Sequence, residues 1–370
     1  TVSGLYAHVP FCAHKCHYCD FYSLVDQHDR IGAFAKRLLS ETEGLPLSGR
    51  FETIFFGGGT PTLLPISFWD DWRRVLTERN ELSEDYEWTV EANPETITAE
   101  LANALVSAGV NRGSLGVQSF APDSLSTLER RHQPESVPQA IEYLRTAGVP
   151  RVSLDLIFGV PGQTLTMVQG DVEEALALDP DHLSCYGLIF EPNTALAKRR
   201  DLGQIQPCDQ EFEAEAYECV VSLLAGAGLQ RYEVSNFARP GEKCRHNLKY
   251  WRNESWWALG PSSSGQFPDV RWKNQPRLDA YLSGSGWCPL ESTEVRSPDM
   301  YRFERFLLGL RLSEGIGWSE LSELSAGLGT ERRNAIDRNL QQGLLIRRED
   351  RLILTDRGYL LADQVIGDLL

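Results

Sequence analysis

The chain has 370 residues, of which 42% are hydrophobic and 24% charged, a composition typical of a globular protein with a sizeable core. Its net charge of −16 argues against general attraction to nucleic acid or anionic lipid, and no apolar run reaches membrane-spanning length. Eight cysteines are too few for a disulfide scaffold, so we expect a protein of the reducing cytoplasm that is neither nucleic-acid-binding nor integral to a membrane.

Short apolar strands alternate with amphipathic helices through the first two thirds of the chain. The predicted strands are Leu5–Val9, Thr53–Phe56, Trp88–Glu91, Ser114–Gln118, Val152–Ile157 and Leu183–Leu188. The predicted helices between them include Ile31–Glu43, Ala99–Ala108, Val137–Ala147 and Met167–Leu178. Six strand–helix repeats imply a parallel sheet with right-handed crossovers, two repeats short of a closed barrel. The sequence therefore predicts an α/β fold with a partial (β/α)6 barrel over residues 1–230.

Cysteine, glycine and polar residues are concentrated where the predicted strands end. Cys12–Cys19 follow the first strand, Gly57–Thr60 follow the second, Glu91 ends the third and Gln118 ends the fourth. Because such barrels carry their chemistry on loops at the carboxyl ends of the strands, we expect these residues to meet at one mouth.

Beyond residue 230 the alternation stops. Residues 231–292 are rich in Trp, Asn, Ser and Pro and are expected to form an irregular aromatic segment and a linker. Residues 293–370 predict helices, a β-ribbon and a last helix: Pro298–Leu312, Trp318–Ala326, Glu331–Gln342, then Arg347–Leu354. Three helices and a ribbon resemble a winged-helix α+β domain. Its eleven Arg, no Lys and thirteen acidic residues give a net charge of −2, which favours covering the barrel or binding a protein over reading DNA.

Cys12, Cys16 and Cys19 lie within eight residues, in a C-x3-C-x2-C spacing. Three thiolates at this spacing suit three corners of a [4Fe–4S] cubane and leave one iron without a protein ligand. The amino and carboxylate groups of S-adenosylmethionine (SAM) can chelate that iron, and one electron from the cluster then cleaves the sulfonium carbon–sulfur bond. A zinc site completed by His14 or His17 stays sterically open but lacks the usual two-pair layout.

Five further segments follow the same order as in a known group of proteins. They are Leu5–Phe11, Phe55–Thr62, Glu91–Pro94, Gly116–Phe120 and Asp155–Gly159. Together with the cysteine spacing, they resemble the HemN/HemW branch of the radical SAM superfamily over nearly the whole chain. The resemblance implies the partial barrel and a SAM pocket beside the cluster.

The resemblance also assigns the parts of that pocket. The methionine end of SAM would contact the turn of Gly58, Gly59 and Thr60 and the carboxylate of Glu91. The carboxylate of SAM would pair with the guanidinium of Arg130, and its ribose would bind the Gln118 amide and the Asp155 carboxylate. The aromatic side chains of Tyr6 and Tyr18 would support the methionine and the adenine. Taken singly, the two carboxylates and the amide fit a structural strand end equally well.

The chain differs from the decarboxylase branch of this family at two places. HemN-type enzymes carry a further Cys two positions beyond the third, where this chain has Phe21. Residues 246–251, His-Asn-Leu-Lys-Tyr-Trp, match the H-N-x-x-Y-W signature of HemW-type haem chaperones, which hand haem to client haemoproteins of the respiratory chain. Imidazole is a good axial ligand of haem iron and aromatic rings offer flat apolar surface, so His246, Tyr250 and Trp251 are haem candidates.

Four other residues are weaker haem candidates. Lys249 or Arg245 could pair with the propionates, and Cys244 or Cys288 could donate a thiolate, although an ordinary loop cysteine is the better interpretation of both.

Three functions of different classes follow from the sequence. The favoured one is a haem chaperone with a [4Fe–4S] cluster and SAM, which serves client haemoproteins. The family resemblance implies that membrane-bound haemoproteins can be among the clients and that the chain can exchange between monomer and dimer. The alternative is a radical SAM enzyme acting on a tetrapyrrole, either a coproporphyrinogen III dehydrogenase or a haem-modifying methyltransferase. A DNA-binding regulator with a redox cluster rests only on the winged-helix resemblance.

Overall fold

The structure is a computed structural model that describes residues 2–26, 28–45, 49–325 and 330–369. Its centre is a set of six parallel strands, which pair with one another in sequence order. They are Gly4–Val9 (β1), Arg50–Gly58 (β2), Glu81–Ala92 (β3), Arg112–Gln118 (β4), Arg151–Phe158 (β5) and His182–Gly187 (β6). Most of their residues are buried, as expected of parallel strands covered by helices.

Helices connect and cover these strands. They are Ile31–Glu43 (α1), Ile66–Thr77 (α2), Ala99–Ala108 (α3), Pro122–Leu128 (α4), Ser136–Ala147 (α5), Leu165–Ala177 (α6), Ala195–Asp201 (α7) and Gln210–Gly226 (α8), with short 3-10 turns at Pro61–Leu63 and Pro94–Thr96. Thr98, Thr164 and Asp209 begin α3, α6 and α8, because each side-chain oxygen accepts a hydrogen bond from a backbone N–H of the first turn. The predicted partial (β/α)6 barrel is confirmed.

The segment expected to be irregular instead extends the sheet at both ends. Its elements are Gln230–Arg231 (β7), Asn236–Ala238 (β8), Arg245–Trp251 (α9), Trp256–Leu259 (β9), Ser264–Gln266 (β10), Val270–Asn274 (β11), Leu278–Ser283 (α10) and Leu290–Val295 (β12). In the described residues β9 pairs in parallel with β1, β10–β12 follow in antiparallel order, and β8 pairs with β6. Several aromatic residues of this segment belong to the core of the sheet: Trp257 packs against Phe267 and Trp272 with ring centroids 4.8 and 5.5 Å away.

Helix α9 closes the barrel at the amino ends of the strands. The Glu87 carboxylate on β3 accepts the backbone N–H groups of Arg245 and His246, at 2.9 and 3.1 Å. It also forms a buried salt bridge of 3.1 Å with Arg112 at the start of β4. The carboxyl ends of the strands therefore form the open mouth.

The C-terminal α+β domain has its own apolar core. Its elements are Pro298–Gly309 (α11), Ile316–Gly317 (β13), Trp318–Ser325 (α12), Thr330–Gln341 (α13), Leu345–Arg348 (β14), Arg351–Leu354 (β15), Asp356–Leu360 (α14) and Ala362–Gly367 (α15). The ribbon β14–β15 forms as predicted, with β13 as a third strand. Ala326, the predicted last residue of α12, lies outside the described residues. The predicted division at 292/293 stays a prediction, and strand β12 crosses it.

The domain docks on the barrel through Arg231, which pairs with Asp356 at 2.6 Å and stacks over the ring of Tyr359 at 3.7 Å. No helix within the described ranges is both long and apolar enough to cross a bilayer.

Candidate cofactor site at the mouth of the barrel

A cavity of about 1370 Å³ opens at the carboxyl ends of β1–β6 and reaches into the barrel. Loops after the strands form its mouth, and residues 357–364 of the C-terminal domain form part of its wall. The residues predicted to hold the cluster and SAM all line it: Cys12, Cys16, Cys19, Tyr6, Tyr18, Gly58, Gly59, Thr60, Glu91, Gln118, Arg130 and Asp155. The fold therefore brings this whole set together, while their roles toward a ligand stay predictions.

The cysteine loop is held closed by backbone contacts. The Lys15 ammonium donates to the carbonyls of Phe21 and Ser23, at 2.9 and 3.2 Å. The Cys12 N–H donates to the carbonyl of Leu24 at 3.0 Å. The three thiols themselves are unpaired with one another and half-buried. Burial raises the pKa of the Cys12 thiol above its ordinary value.

Among the described residues, no three His, Cys, Asp or Glu side chains already surround a single point. A cubane binds each cysteine through a different iron, so its three sulfurs need not converge on one atom. The donor set of three half-buried thiols on one closed loop fits such a cluster.

A chain of hydrogen bonds joins the cysteine loop to the loops after β2 and β3. The Thr60 hydroxyl donates to the Cys12 sulfur at 3.7 Å, and the Asn93 amide donates to the Thr60 hydroxyl at 3.2 Å. Arg130 donates in turn to Asn93 Oδ1 at 3.0 Å and to the Cys16 sulfur at 3.6 Å. The Arg130 guanidinium thus faces a cysteine, and its Nε is buried without a partner. Its predicted contact with the SAM carboxylate stays a prediction.

Two carboxyl groups face the cavity in an environment that disfavours their charge. Burial, and secondly the neighbouring Asp155, raise the pKa of Glu91 to about 8. Burial likewise raises the pKa of Asp155 to about 6. Glu91 Oε2 accepts the N–H of Gly58 at 3.1 Å. A cationic ligand would favour the charged form of both groups, and SAM carries an ammonium and a sulfonium.

The glycines of the turn are required by close backbone approach. A Cβ on Gly59 would lie 2.4 Å from the carbonyl oxygen of Phe11, and one on Gly57 would lie 2.9 Å from Glu91 Oε2. The turn therefore admits no side chain on its inner face.

His8 is a residue that the sequence analysis missed. Its Nε2 must donate to the carbonyl of Tyr22, at 2.8 Å, so its Nδ1 accepts from the hydroxyl of Tyr6, at 3.1 Å. The ring also fills the space beside Gly58, where a Cβ would lie 2.4 Å from His8 Cε1. His8 therefore ties the cysteine loop to the wall of the predicted SAM pocket. Its place in the Leu5–Phe11 motif was the available signal.

The haem candidates do not form one site. His246 is fully buried, with Nδ1 2.9 Å from the hydroxyl of Thr53 and Nε2 2.9 Å from that of Tyr250. Burial lowers its pKa to about 3. Tyr250 lines the cavity, whereas His246 and Trp251 are not among the described residues that do. Trp251 packs outside the barrel, beneath the guanidinium of Arg311.

The four weaker haem candidates are paired with other side chains or packed in the core, and of the four only Cys244 lines the cavity. The Lys249 ammonium is buried between Glu52 and Glu254, at 3.1 Å from each. Arg245 pairs with Asp85 at the surface. The other two are buried cysteines: Cys244, whose thiol donates to Glu87 at 3.6 Å, and Cys288, which packs in the main core.

A partial parallel barrel with a three-cysteine loop and a carboxylate-lined cavity at its mouth defines the radical SAM class of proteins. Residues 6–175 match the Radical SAM superfamily, and residues 297–361 match the HemN C-terminal domain. The solved structure of coproporphyrinogen III oxidase (HemN) from Escherichia coli superposes with a TM-score of 0.84, covering 100% of this chain and 90% of its own, at 21% identity. This likeness establishes the fold.

Proteins named heme chaperone HemW are similar to this chain over its whole length. The protein of Bacillus subtilis (strain 168) is 36% identical, covering 100% of this chain and 99% of its own. That of Mycobacterium tuberculosis (strain H37Rv) is 37% identical, covering 99% and 94%, and that of Escherichia coli (strain K12) is 34% identical, covering 98% and 97%. The chain belongs to the HemW family of the radical SAM superfamily.

Proposed function

We propose that this chain is a haem chaperone, which binds haem and passes it to client haemoproteins. The observation that carries the proposal is the full-length similarity to relatives named heme chaperones. In this proposal the chain also holds a [4Fe–4S] cluster through Cys12, Cys16 and Cys19, and SAM beside it.

The residues of the cavity fit SAM by charge and shape. Glu91, next to a turn that admits no side chain, would accept the methionine ammonium, and Gln118 with Asp155 would bind the ribose hydroxyls. Arg130 would hold Cys16 and the adjoining carboxylate of the ligand. When bound, the cluster and SAM would supply one-electron chemistry; the residues themselves bind, orient and neutralise charge.

The cavity also offers a wall suited to the flat apolar faces of a porphyrin. This wall combines residues from the ends of β5 and β6, from α8 and from the C-terminal domain: Phe158, Leu188, Ile189, Tyr217, Tyr359 and Leu361. Ile189 is 67% exposed, and a large apolar side chain exposed inside a cavity is typical of a ligand surface. Arg357 lies in the same wall and would pair with a propionate. We therefore place haem against this wall and not at His246.

An anaerobic haem titration of the cluster-reconstituted protein, followed at the Soret band, tests the proposal. Wild type should bind haem saturably, and Ile189→Asp should weaken the binding because it places a charge on the apolar wall. Leu202→Asp is the matched control, since Leu202 is 63% exposed but is not among the described residues that line the cavity. Equal binding by Ile189→Asp and wild type would move haem away from this wall. No saturable binding by wild type would overturn the function.

A radical SAM enzyme acting on a tetrapyrrole is the second candidate, because the predicted SAM residues all line one cavity. Phe21 argues against a coproporphyrinogen III dehydrogenase: it stands where HemN-type enzymes carry a further Cys, and its ring lines the cavity at 60% exposure. Conversion of coproporphyrinogen III to protoporphyrinogen IX by the reconstituted protein would favour this candidate over the chaperone.

A further inference from the structure

Gln118, a predicted ribose ligand, has an unusual backbone. Its φ is +67°, in the left-handed region that residues with a side chain seldom occupy. The pairing of β4 with β5 also shifts between Gly116 and Gln118, so Gly116 lies opposite Asp155 and Gln118 opposite Leu156. A bulge of this kind redirects a side chain, here one that lines the cavity. Such a conformation persists only where its surroundings fix it.

The group that fixes it is the carboxylate of Asp171 on α6. This carboxylate accepts hydrogen bonds from the three residues that follow Gln118: the Ser119 hydroxyl at 2.7 Å, the Phe120 N–H at 2.7 Å and the Ala121 N–H at 3.2 Å. Asp171 is buried and is not among the described residues that line the cavity. It therefore acts on the backbone of the site and not on a ligand.

The same carboxylate is linked to the loop after β5. The Gln163 amide donates to Asp171 Oδ2 at 3.3 Å, and Gln163 Oε1 accepts the N–H groups of Gly159 and Val160, at 2.9 and 3.2 Å. Gly159 follows directly on β5, the strand that carries Asp155. The loops behind both predicted ribose ligands are thus joined through one buried carboxylate.

We infer that Asp171 is a positioning residue for the ribose of SAM: it holds Gln118 in its left-handed conformation and, through Gln163, fixes the adjoining loop beside Asp155. The inference rests on the proposed binding of SAM in this cavity. Asp171 also accepts from N–H groups at the start of α4, so a purely structural role would lower stability without a specific effect on SAM.

The test is the dissociation constant of SAM for anaerobic, cluster-reconstituted protein, measured by equilibrium dialysis together with iron content. Asp171→Asn should weaken SAM about tenfold at unchanged iron content, the equivalent of one well-made hydrogen bond. Ser119→Ala, a milder change that removes one donor, should weaken it in the same direction. Glu41→Gln is the matched control: Glu41 is a buried carboxyl that accepts N–H groups of Gly260 and Cys288 away from the cavity, and its variant should bind SAM as wild type does.

A double-mutant cycle separates positioning from structure. If Asp171 acts through Gln118, adding Asp171→Asn to Gln118→Ala should weaken SAM no further. Full additivity of the two changes, or unchanged SAM affinity in both Asp171→Asn and Ser119→Ala, would overturn the inference while the proposed SAM site stands. Absence of SAM binding by wild type would overturn the proposed site itself, and this inference with it.

Discussion

Replacing His246 with alanine removes an imidazole that holds α9 against β2 at the closed end of the barrel. The change leaves the fully buried Thr53 hydroxyl without its partner, which lowers the free energy of unfolding by about 1–3 kcal/mol. It also removes the hydrogen bond to Tyr250, which contributes about 1 kcal/mol. The ring also packs on Phe55 with centroids 5.3 Å apart. We therefore expect the free energy of unfolding to fall by about 2–4 kcal/mol before the loss of ring packing is counted.

Urea unfolding of the metal-free protein measures this change, with His28→Ala, at an exposed position, as the matched control. Thr53→Val should reproduce part of the loss, about 1–3 kcal/mol, because it leaves His246 Nδ1 unpaired at nearly constant volume. At urea concentrations at which His246→Ala stays folded, haem bound to this variant should show the same Soret position as haem bound to wild type. An unchanged unfolding midpoint combined with a shifted or lost Soret band would refute the reasoning and return His246 to the role of axial ligand.

Three further outcomes follow from the site and its buried groups. Cys16→Ala should lose the iron, sulfide and absorbance of the cluster, and a full cluster content in this variant would show that the ligand assignment is wrong. Because the pKa of Glu91 is about 8, its carboxyl group is largely neutral at pH 6.5 and ionises as the pH rises, so the affinity for SAM should increase toward pH 8. Glu91→Gln should flatten this increase. Parallel pH profiles of SAM affinity in Glu91→Gln and wild type would contradict the assignment of Glu91 to the SAM ammonium. The folded-state pKa of His246, about 3, lies below the unfolded value of about 6.5, so the stability that this neutral imidazole contributes is lost as pH falls from 6.5 toward 3, and about 2 kcal/mol of it is lost at pH 5. The raised pKa values of Glu91 and Asp155 act in the opposite direction, so the measurement is the difference in free energy of unfolding between wild type and His246→Ala. This difference should shrink by about 2 kcal/mol from pH 7 to pH 5, and an equal difference at both pH values would contradict the argument.

The barrel and its mouth were predictable because their signals are local. Strand and helix periodicity repeats along the chain, and parallel strands place their carboxyl ends at one edge, so Cys12, Glu91, Gln118 and Asp155 had to converge once six repeats were recognised. The bounds of α1 and α3 agree with their hydrophobic periodicity.

The features that the sequence did not predict depend on contacts between distant parts of the chain. Strands β9–β12 are short, and their aromatic residues become sheet core only when β9 pairs with β1, far away in sequence. Nothing local shows that His246 faces Thr53, 193 residues earlier, and not the cavity. Likewise, the contact of Arg130 with Cys16 and the bracing of Gln118 by Asp171 join loops of separate repeats. A motif identifies such residues but does not give the direction of their side chains.

The most direct test of the chaperone function is haem transfer from the haem-loaded, cluster-reconstituted protein to a haem-free client haemoprotein, followed anaerobically at the Soret bands of both. The proposal predicts that the client spectrum grows as the donor spectrum declines, faster than from an equal concentration of haem bound to serum albumin. Haem that stays on the protein in the presence of the client, together with turnover of coproporphyrinogen III, would contradict the chaperone and identify a tetrapyrrole enzyme.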